Sequence, residues 1–448
     1  MAFEKFQDFL SGLVKGQRGF FSGGEKDSIE QLVERLMGSE GEVSGIVTAR
    51  QVLDRYEELG AEQKLQFFKR LEQEFNANQA MVRLAFDAYD KDPSSFNLGT
   101  LSKASEPLRH ELLRRLNQTP GATHDLVAMR ADLLGLLKTH PELLAVDNDF
   151  VRLFTSWFGR GFLELRTINW GTSAAVLERI IRYEAVHAIK DWDDLRSRID
   201  PPNRRCFAFF HPALVDEPLI FVEVALTGDV PQSIAEILEE KDDSVSEDEF
   251  KTAVFYSISN CQPGLRNISF GNFLIKQVVQ ELQLEFPSIK TFVTLSPIPG
   301  FSRWLVAEEE RRGQSSDDNE NEGQKSKGNK NAAALEALKR RIAELPVTSE
   351  TAEEQGDDIR SLVFHYLTEA RRGKYPSDPV ARFHLGNGAS LFRIHAHADL
   401  SEKGLDQSRG AMVSYLYDLD SIEMNHEAFA NEGRVKFSDK LKALAVKS

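Results

Sequence analysis

The chain has 448 residues, 41% hydrophobic and 28% charged, which is too long for one ordinary core and suits two or three domains of about 100 to 200 residues. Its 55 Lys+Arg are outweighed by 70 Asp+Glu, a net charge of −15, which argues against nucleic acid or an anionic membrane as the main partner. Two cysteines, Cys206 and Cys261, give neither a disulfide framework nor zinc spacing. No apolar run reaches the length of about 18 residues that a membrane span needs, and the N-terminus lacks a targeting pattern, so cytoplasmic residence is the expectation.

From residue 3 to about residue 158 the apolar period is helical. Leu65, Phe68, Leu71 and Phe75 recur at spacings of three and four, as do Leu108, Leu112 and Leu116, with charged residues between them. Gly60, Pro120-Gly121 and His140-Pro141 punctuate the series, which predicts six to eight helices packed as a bundle over residues 1–158. Nothing there has the look of a catalytic constellation; support or self-association is the expected role.

After Trp157 the pattern changes, and residues 159–448 read as a mixed sheet with flanking helices. Leu163 to Trp170 is a candidate extended segment, and Ser173 is placed to cap a helix with Val176, Leu177, Ile180 and Ile181 on its core face. Cys206–His211 and Leu219–Leu226 read as two strands of a hairpin, Ile234–Glu240 as a short helix and Thr252–Ser259 as a strand. A polar loop with Gln262, Gly264 and Leu265 then leads into a helix from about Gly271, followed by a strand into Ser296. Strand, glycine-bearing loop, helix, strand is a βαβ-like unit whose loop lies at a helix N-terminus, a position that favours anions.

The run Lys290–Leu295 stops at Ser296, Pro297, Ile298, Pro299 and Gly300. The prolines lack a donor and fix φ, so they are expected to end the ladder and aim Ser296 out of the sheet. Residues 308–357 interrupt the domain with a polar stretch expected to be mobile, followed by a surface helix over Ala332–Leu345. A helix over Ile359–Arg371 follows, then His384 close to the Asn387-Gly388 turn, which is expected to fix it at a strand end. Ser390–His397 and Ala411–Tyr417 read as strands, and a last helix is expected to run to Lys442.

Ser296 and His384 are the favoured catalytic pair, although a serine before prolines is more often a turn residue and a histidine between Phe383 and Leu385 more often a packed one. The loop before Gly271 fits neither the Walker pattern nor the GxGxxG fingerprint, and a plain connection explains it equally well. Arg266, Arg303, Arg371, Arg372, Lys374 and Arg382 flank these stretches in an acidic chain; single arginines are mostly solvated. His395 and His397 share one face of a strand, with Asp399 following, but no further ligand cluster accompanies them, and no metal is expected. There is no GxSxG elbow.

Several stretches together resemble the malonyl-CoA decarboxylase family: Cys206–His211, Glu217-Pro218 with Val224–Thr227, Phe255–Ser259, Gly264-Leu265 with Gly271 and Phe273–Lys276, Leu295–Phe301 with Trp304-Leu305, and Phe383–Ala389. The resemblance runs through most of the chain after about residue 157. It implies a helical domain for self-association into a dimer or tetramer, and a GNAT (acetyltransferase-like) catalytic domain. It assigns Ser296, His384 and Tyr417 to catalysis, and Gln262, Gly264, Leu265, Gly271, Pro299, Gly300 and Asn387 to coenzyme A. Malonyl-CoA and acetyl-CoA would be substrate and product, with no cofactor besides the coenzyme A they carry. Some relatives have a glutamate where this chain has Ser269, which leaves that position without an assigned role. A GNAT-type acyltransferase and a non-catalytic module that senses coenzyme A stay open as alternatives.

Overall fold

The computed structural model describes residues 27–38, 41–239, 246–268, 274–306 and 328–444. It divides into two compact units, Met1–Glu164 with Phe210–Glu217 and Gln262–Phe270, and Leu165–Phe209 with Pro218–Cys261 and Gly271–Ser448.

In the first unit eight α-helices, from Ile29–Gly38 to Leu144–Trp157, lie among the described residues. Their core is the set that the helical period selects: Phe68, Leu71, Leu112, Leu116, Leu126, Leu133, Phe150 and Phe154 are buried, whereas Leu108 is 47% exposed. Asn78 and Ser94 cap the helices Gln79–Lys91 and Ser95–Ala104 with their side chains. This pair buries only Ala85 and leaves Met81, Leu84, Phe86, Phe96 and Leu98 exposed. Helix Ala122–Leu136 instead packs on the turn Pro263–Leu265. The buried Arg130 guanidinium pairs with Asp147 at 2.8 Å and donates to the carbonyls of Gly264 at 2.7 Å and Arg266 at 2.9 Å. A Cβ on Gly264 would collide with the Val127 carbonyl, so glycine is needed for that approach.

The second unit is built on a mixed sheet. Its strands are β1 (Glu164–Ile168), β2 (Arg204–Phe210), β3 (Pro218–Thr227), β4 (Thr252–Asn260), β5 (Thr291–Thr294), β6 (Ser296–Pro297), β9 (Ser390–His395) and β10 (Met412–Leu416), in the order β1-β2-β3-β4-β5-β10-β6 with β9 also on β10. A separate two-stranded ladder joins β7 (Arg371–Arg372) to β8 (Tyr375–Pro376). Nine of the ten β3 residues are buried, which is what a continuous apolar run predicts for a strand covered on both faces. β4 and β5 are parallel and joined through helix Leu274–Glu285, as the βαβ pattern requires. Their pairing ends at Phe255 and Thr294, while β4 continues beside β3 to Asn260. The register of β3 against β4 jumps from Glu223–Ser257 to Val224–Phe255, which leaves Tyr256 as the extra residue of a bulge.

Three local expectations are corrected. The sheet does not end at Ser296: β6 keeps Ser296 and Pro297 paired with Val413 and Met412 of β10, at the margin where a proline needs no ladder donor. His384 lies on a helix, Pro379–Gly386, and not at a strand end. The C-terminal helix stops at Glu432, and a 3₁₀ turn, Asp439–Leu444, follows. In the interrupting segment the helix spans Gly328–Glu344; residues 307–327, on which most of the expected mobile stretch falls, lie outside the described residues.

Candidate active site

β5, β6, β10 and the helix Pro379–Gly386 bring three of the expected residues together. Thr294 ends β5 and Ser296 opens β6, and β10 spans both strands, pairing Leu416 with Val293 and Val413 with Ser296. The Ser296 backbone is therefore fixed by pairing with β10 on both sides of Leu295. His384 is brought in by a short helix with a defined start: Asp378 Oδ1 accepts from the N–H groups of Val380 and Ala381, both at 2.9 Å, and Pro379 occupies the first turn. The helix ends where the Asn387 N–H meets the carbonyls of Phe383 and His384 and the Asn387 side chain donates back to Phe383 at 2.9 Å. Gly388 then turns the chain at φ +85°, where a Cβ would strike the Ile422 carbonyl. Tyr417 follows β10, held by its N–H on the Phe292 carbonyl.

His384 sits between the other two. Its Nε2 is 3.1 Å from Ser296 Oγ and its Nδ1 is 2.8 Å from the Tyr417 hydroxyl. Ser296 Oγ donates to Thr294 Oγ1 at 2.8 Å, and Thr294 Oγ1 also accepts the Tyr415 N–H at 3.1 Å. The Tyr415 ring stacks on the imidazole with centroids 4.6 Å apart and planes at 24°. All five side chains are buried. Burial pushes the His384 pKa down to about 3, because a charged ring would lose its hydration, and pushes the phenols of Tyr417 and Tyr415 up. The ring is therefore neutral near pH 7, with one nitrogen donating and one accepting. Such a group can hand a hydrogen bond or a proton to a reacting atom through Ser296, but it is not a resident imidazolium.

A second layer holds the two walls in place. Asp378, 0% exposed, lies 3.5 Å from the Tyr366 hydroxyl. Burial raises its pKa against the pull of the Ala381, Val380 and Gly300 N–H groups. A Cβ on Gly300 would run into that Tyr366 hydroxyl, so the turn after Pro299 needs glycine for close approach.

The remaining expected residues have these places. Pro299 and Gly300 are half-buried in the turn after β6, and Asn387 ends the His384 helix. Gln262, Gly264 and Leu265 belong to the first unit, where Gln262 Nε2 lies 3.3 Å from Glu217. Gly271 and Ser269 lie outside the described residues. Of the flanking cations, Arg371 and Lys374 donate to the carbonyls of Gly433 and Ala430 at the end of helix Ile422–Glu432, where cations offset the helix dipole. Arg382 holds the carbonyls of Pro376 and Ser377. His395 Nε2 is 2.9 Å from Ser414 Oγ, and no group of three or more His, Cys, Asp and Glu side chains among the described residues could hold a metal.

Thr294, Tyr415 and Asp378 escaped the reading of the sequence. Two carried a usable signal: strand alternation puts Thr294 on the same side as Ser296, and Asp before Pro is a helix-start pair. Stacking by Tyr415 carried none.

Comparison with known proteins covers both parts of the chain. Residues 161–448 match the family model of the malonyl-CoA decarboxylase C-terminal domain, and residues 75–158 match that of the N-terminal domain. The mitochondrial malonyl-CoA decarboxylase of Mus musculus is 34% identical over 405 residues, 86% of this chain and 82% of the mouse protein. That of Anser anser anser is 35% identical over 362 residues, 77% of this chain and 72% of the goose protein. The crystal structure of malonyl-CoA decarboxylase from Rhodopseudomonas palustris superposes with a TM-score of 0.82 at 46% identity, covering 93% of this chain and 98% of that one. The Agrobacterium vitis enzyme gives 0.82 at 47% identity, covering 94% and 100%. With both models matched in order and relatives aligned over most of its length, the chain belongs to the malonyl-CoA decarboxylase family of carboxy-lyases.

Proposed function

We propose that the chain converts malonyl-CoA to acetyl-CoA and CO2 through an enolate that Ser296 and His384 stabilise and protonate. The observation that carries this reading is the buried bridge of neutral His384 between Ser296 and Tyr417. When the bond between Cα and the carboxylate breaks, its electron pair moves into the thioester carbonyl and CO2 leaves. Donors aimed at the resulting oxyanion contribute roughly 3 to 4 kcal/mol each. The Ser296–His384 pair then donates a proton to Cα, an effect of about 10²- to 10⁴-fold, and one proton taken from solvent restores the pair. Tyr417 and nearby backbone N–H groups orient the malonyl carboxylate. The chemistry asks for neither metal nor organic cofactor, so chelation should leave turnover unchanged.

Coenzyme A is assigned to the loop of Gln262, Gly264, Leu265 and Gly271 together with Pro299, Gly300 and Asn387. That loop joins β4 to the helix Leu274–Glu285, the βαβ connection in which backbone N–H groups meet an anion. Self-association into a dimer or tetramer is assigned to the helical unit. The exposed apolar side chains of Gln79–Lys91 and Ser95–Ala104 favour a second copy of this chain as their cover. The buried cysteines Cys206 and Cys261, which form no disulfide, suit a reducing cytoplasm.

The deciding assay incubates the purified protein with malonyl-CoA and follows acetyl-CoA and CO2, which should form in equal amounts. A folded sample that releases free coenzyme A only when an amine acceptor is added would establish the acyltransferase instead. Tight coenzyme A binding without turnover of any acyl-CoA would establish a sensing module.

A further inference from the structure

We infer that Thr294 is a positioning residue that holds the Ser296 proton and thereby sets His384 in the tautomer with hydrogen on Nε2. The inference deepens the reading of Ser296 and His384 given above and rests on it for its catalytic meaning.

One end of the network sets the direction of its bonds, and the other end agrees with it. At one end, the geometry has the Ser296 hydroxyl donating to Thr294 Oγ1, which also accepts the Tyr415 N–H. A hydroxyl has two lone pairs and one hydrogen; both lone pairs are then engaged, and the Thr294 O–H has no acceptor among the described residues. With its proton on Thr294, Ser296 can only accept from His384, so Nε2 carries hydrogen. At the other end, the Tyr417 hydroxyl is 1% exposed and its bond to His384 Nδ1 is its side-chain partner among the described residues. If Nδ1 carried the hydrogen, the phenol would have to accept it and its own O–H would have no acceptor, at a cost of about 1 to 3 kcal/mol. The reversed network strands the Tyr417 O–H where this one strands that of Thr294, so the Tyr417 end agrees with hydrogen on Nε2 and the Ser296–Thr294 bond decides it. The network runs Tyr417 to His384 to Ser296 to Thr294.

Thr294 can hold this position because three features fix its side chain: a β-branched residue has few rotamers, it is 0% exposed, and the Tyr415 N–H anchors its oxygen. The functional consequence is that His384 does not act as a base on Ser296. Ser296 is held as a donor in reserve, and a substrate oxygen that becomes negative competes with the neutral Thr294 oxygen for its proton. Charge-assisted bonds are the stronger kind, so the transfer of the bond occurs as the enolate forms and not before.

The test combines solid-state ¹⁵N NMR of ring-labelled histidine with kinetics, the His384 signals being identified by their loss in His384→Asn. Wild type should show a protonated Nε2 and a bare Nδ1 at pH 7. Thr294→Val, of the same shape but without the oxygen, frees Ser296 to donate to Nε2; the tautomer should shift towards Nδ1–H, and kcat should fall about 10- to 100-fold with KM within about threefold. Thr294→Ser should restore both the tautomer and most of kcat, which a mere loss of packing would not explain. An Nδ1–H tautomer in wild type, or a Thr294→Val enzyme with unchanged tautomer and kcat, would overturn the inference. The wild-type spectrum decides the hydrogen-bond direction even if Thr294→Val fails to fold. A protein that shows the expected tautomer but does not decarboxylate malonyl-CoA would sink the proposed function and leave the hydrogen-bond assignment standing.

Discussion

Removing the Ser296 hydroxyl breaks the hydrogen-bonded path from His384 to Thr294, yet it leaves the ladder bonds of β6 intact. Ser296→Ala should therefore lower kcat by about 10²- to 10⁴-fold with a small change in melting temperature; a large loss of stability with kcat retained would make Ser296 a packing residue. His384→Asn should be as slow, and somewhat less stable, because it strips the Tyr417 hydroxyl of its partner. Both residues were legible in the sequence because their neighbours are unusual: prolines on one side of Ser296, and Asn-Gly just beyond His384. Thr294 was masked: strand alternation sets it on the side of Ser296, but a threonine inside a β-branched run is already explained by strand propensity. Tyr417 entered only through the family resemblance, as the contact of a phenol with an imidazole 33 positions away leaves no local pattern.

The helix Pro379–Gly386 depends on its two ends more than on its eight residues. Asp378→Ala removes the acceptor for two N–H groups and should cost about 1 kcal/mol or more of stability. It should also lower kcat, because His384 rides on that helix. Asp378→Asn keeps a capping oxygen and should recover most of the stability in thermal unfolding. Gly388→Ala should be worse than either change, since it combines a positive φ with a clash against Ile422. The same glycine explains why the sequence misplaced His384. Asn-Gly supplies a positive φ both to a hairpin and to the end of a helix, and only the partner of that turn, helix Ile422–Glu432, decides between them. The strand ending at Ser296 was misjudged for a similar reason: whether a proline ends a ladder depends on which neighbour comes alongside, and β10 lies more than a hundred residues further along.

Across the whole molecule, buried titratable groups should bound the pH range of the fold from both sides. Burial holds His384 at about 3 and His187 and His395 at about 4, below the ordinary value near 6.5. A depressed histidine stays neutral in the fold but takes up a proton on unfolding. Stability is then in place above about pH 6.5 and lost as pH falls towards 4 and 3, at up to about 1.4 kcal/mol per unit of pKa difference for each group. Glu223 has the opposite sign. Its carboxyl is 0% exposed and raised to about 8, first by burial and then by Glu184, while Arg198 is drawn to Asp194 at 2.9 Å and reaches Glu223 only at 3.4 Å. Its stabilising state is the protonated one, complete below about pH 4.5 and lost as pH rises towards 8. Glu223→Gln should therefore melt progressively above wild type as the buffer goes from pH 5 to 9; a constant gap between the two curves would show that Glu223 does not titrate there. The change from helical to strand period near Trp157 was legible, and so was the parallel pair β4 and β5. The assignment of residues 210–217 and 262–270 to the helical unit was not, because it rests on contacts such as that of Arg130 with Gly264, 134 positions apart.

That contact also bears on the order in which the molecule is made. Domains fold from the N-terminus as synthesis proceeds, so helix Ala122–Leu136 leaves the ribosome well before the turn Pro263–Leu265 that it holds. Arg130 can thus act as a mould already set when the later segment arrives, with Asp147 keeping its guanidinium in place. A fragment begun at residue 159 would translate every residue of the loop assigned to coenzyme A and still lack the template that gives the loop its shape.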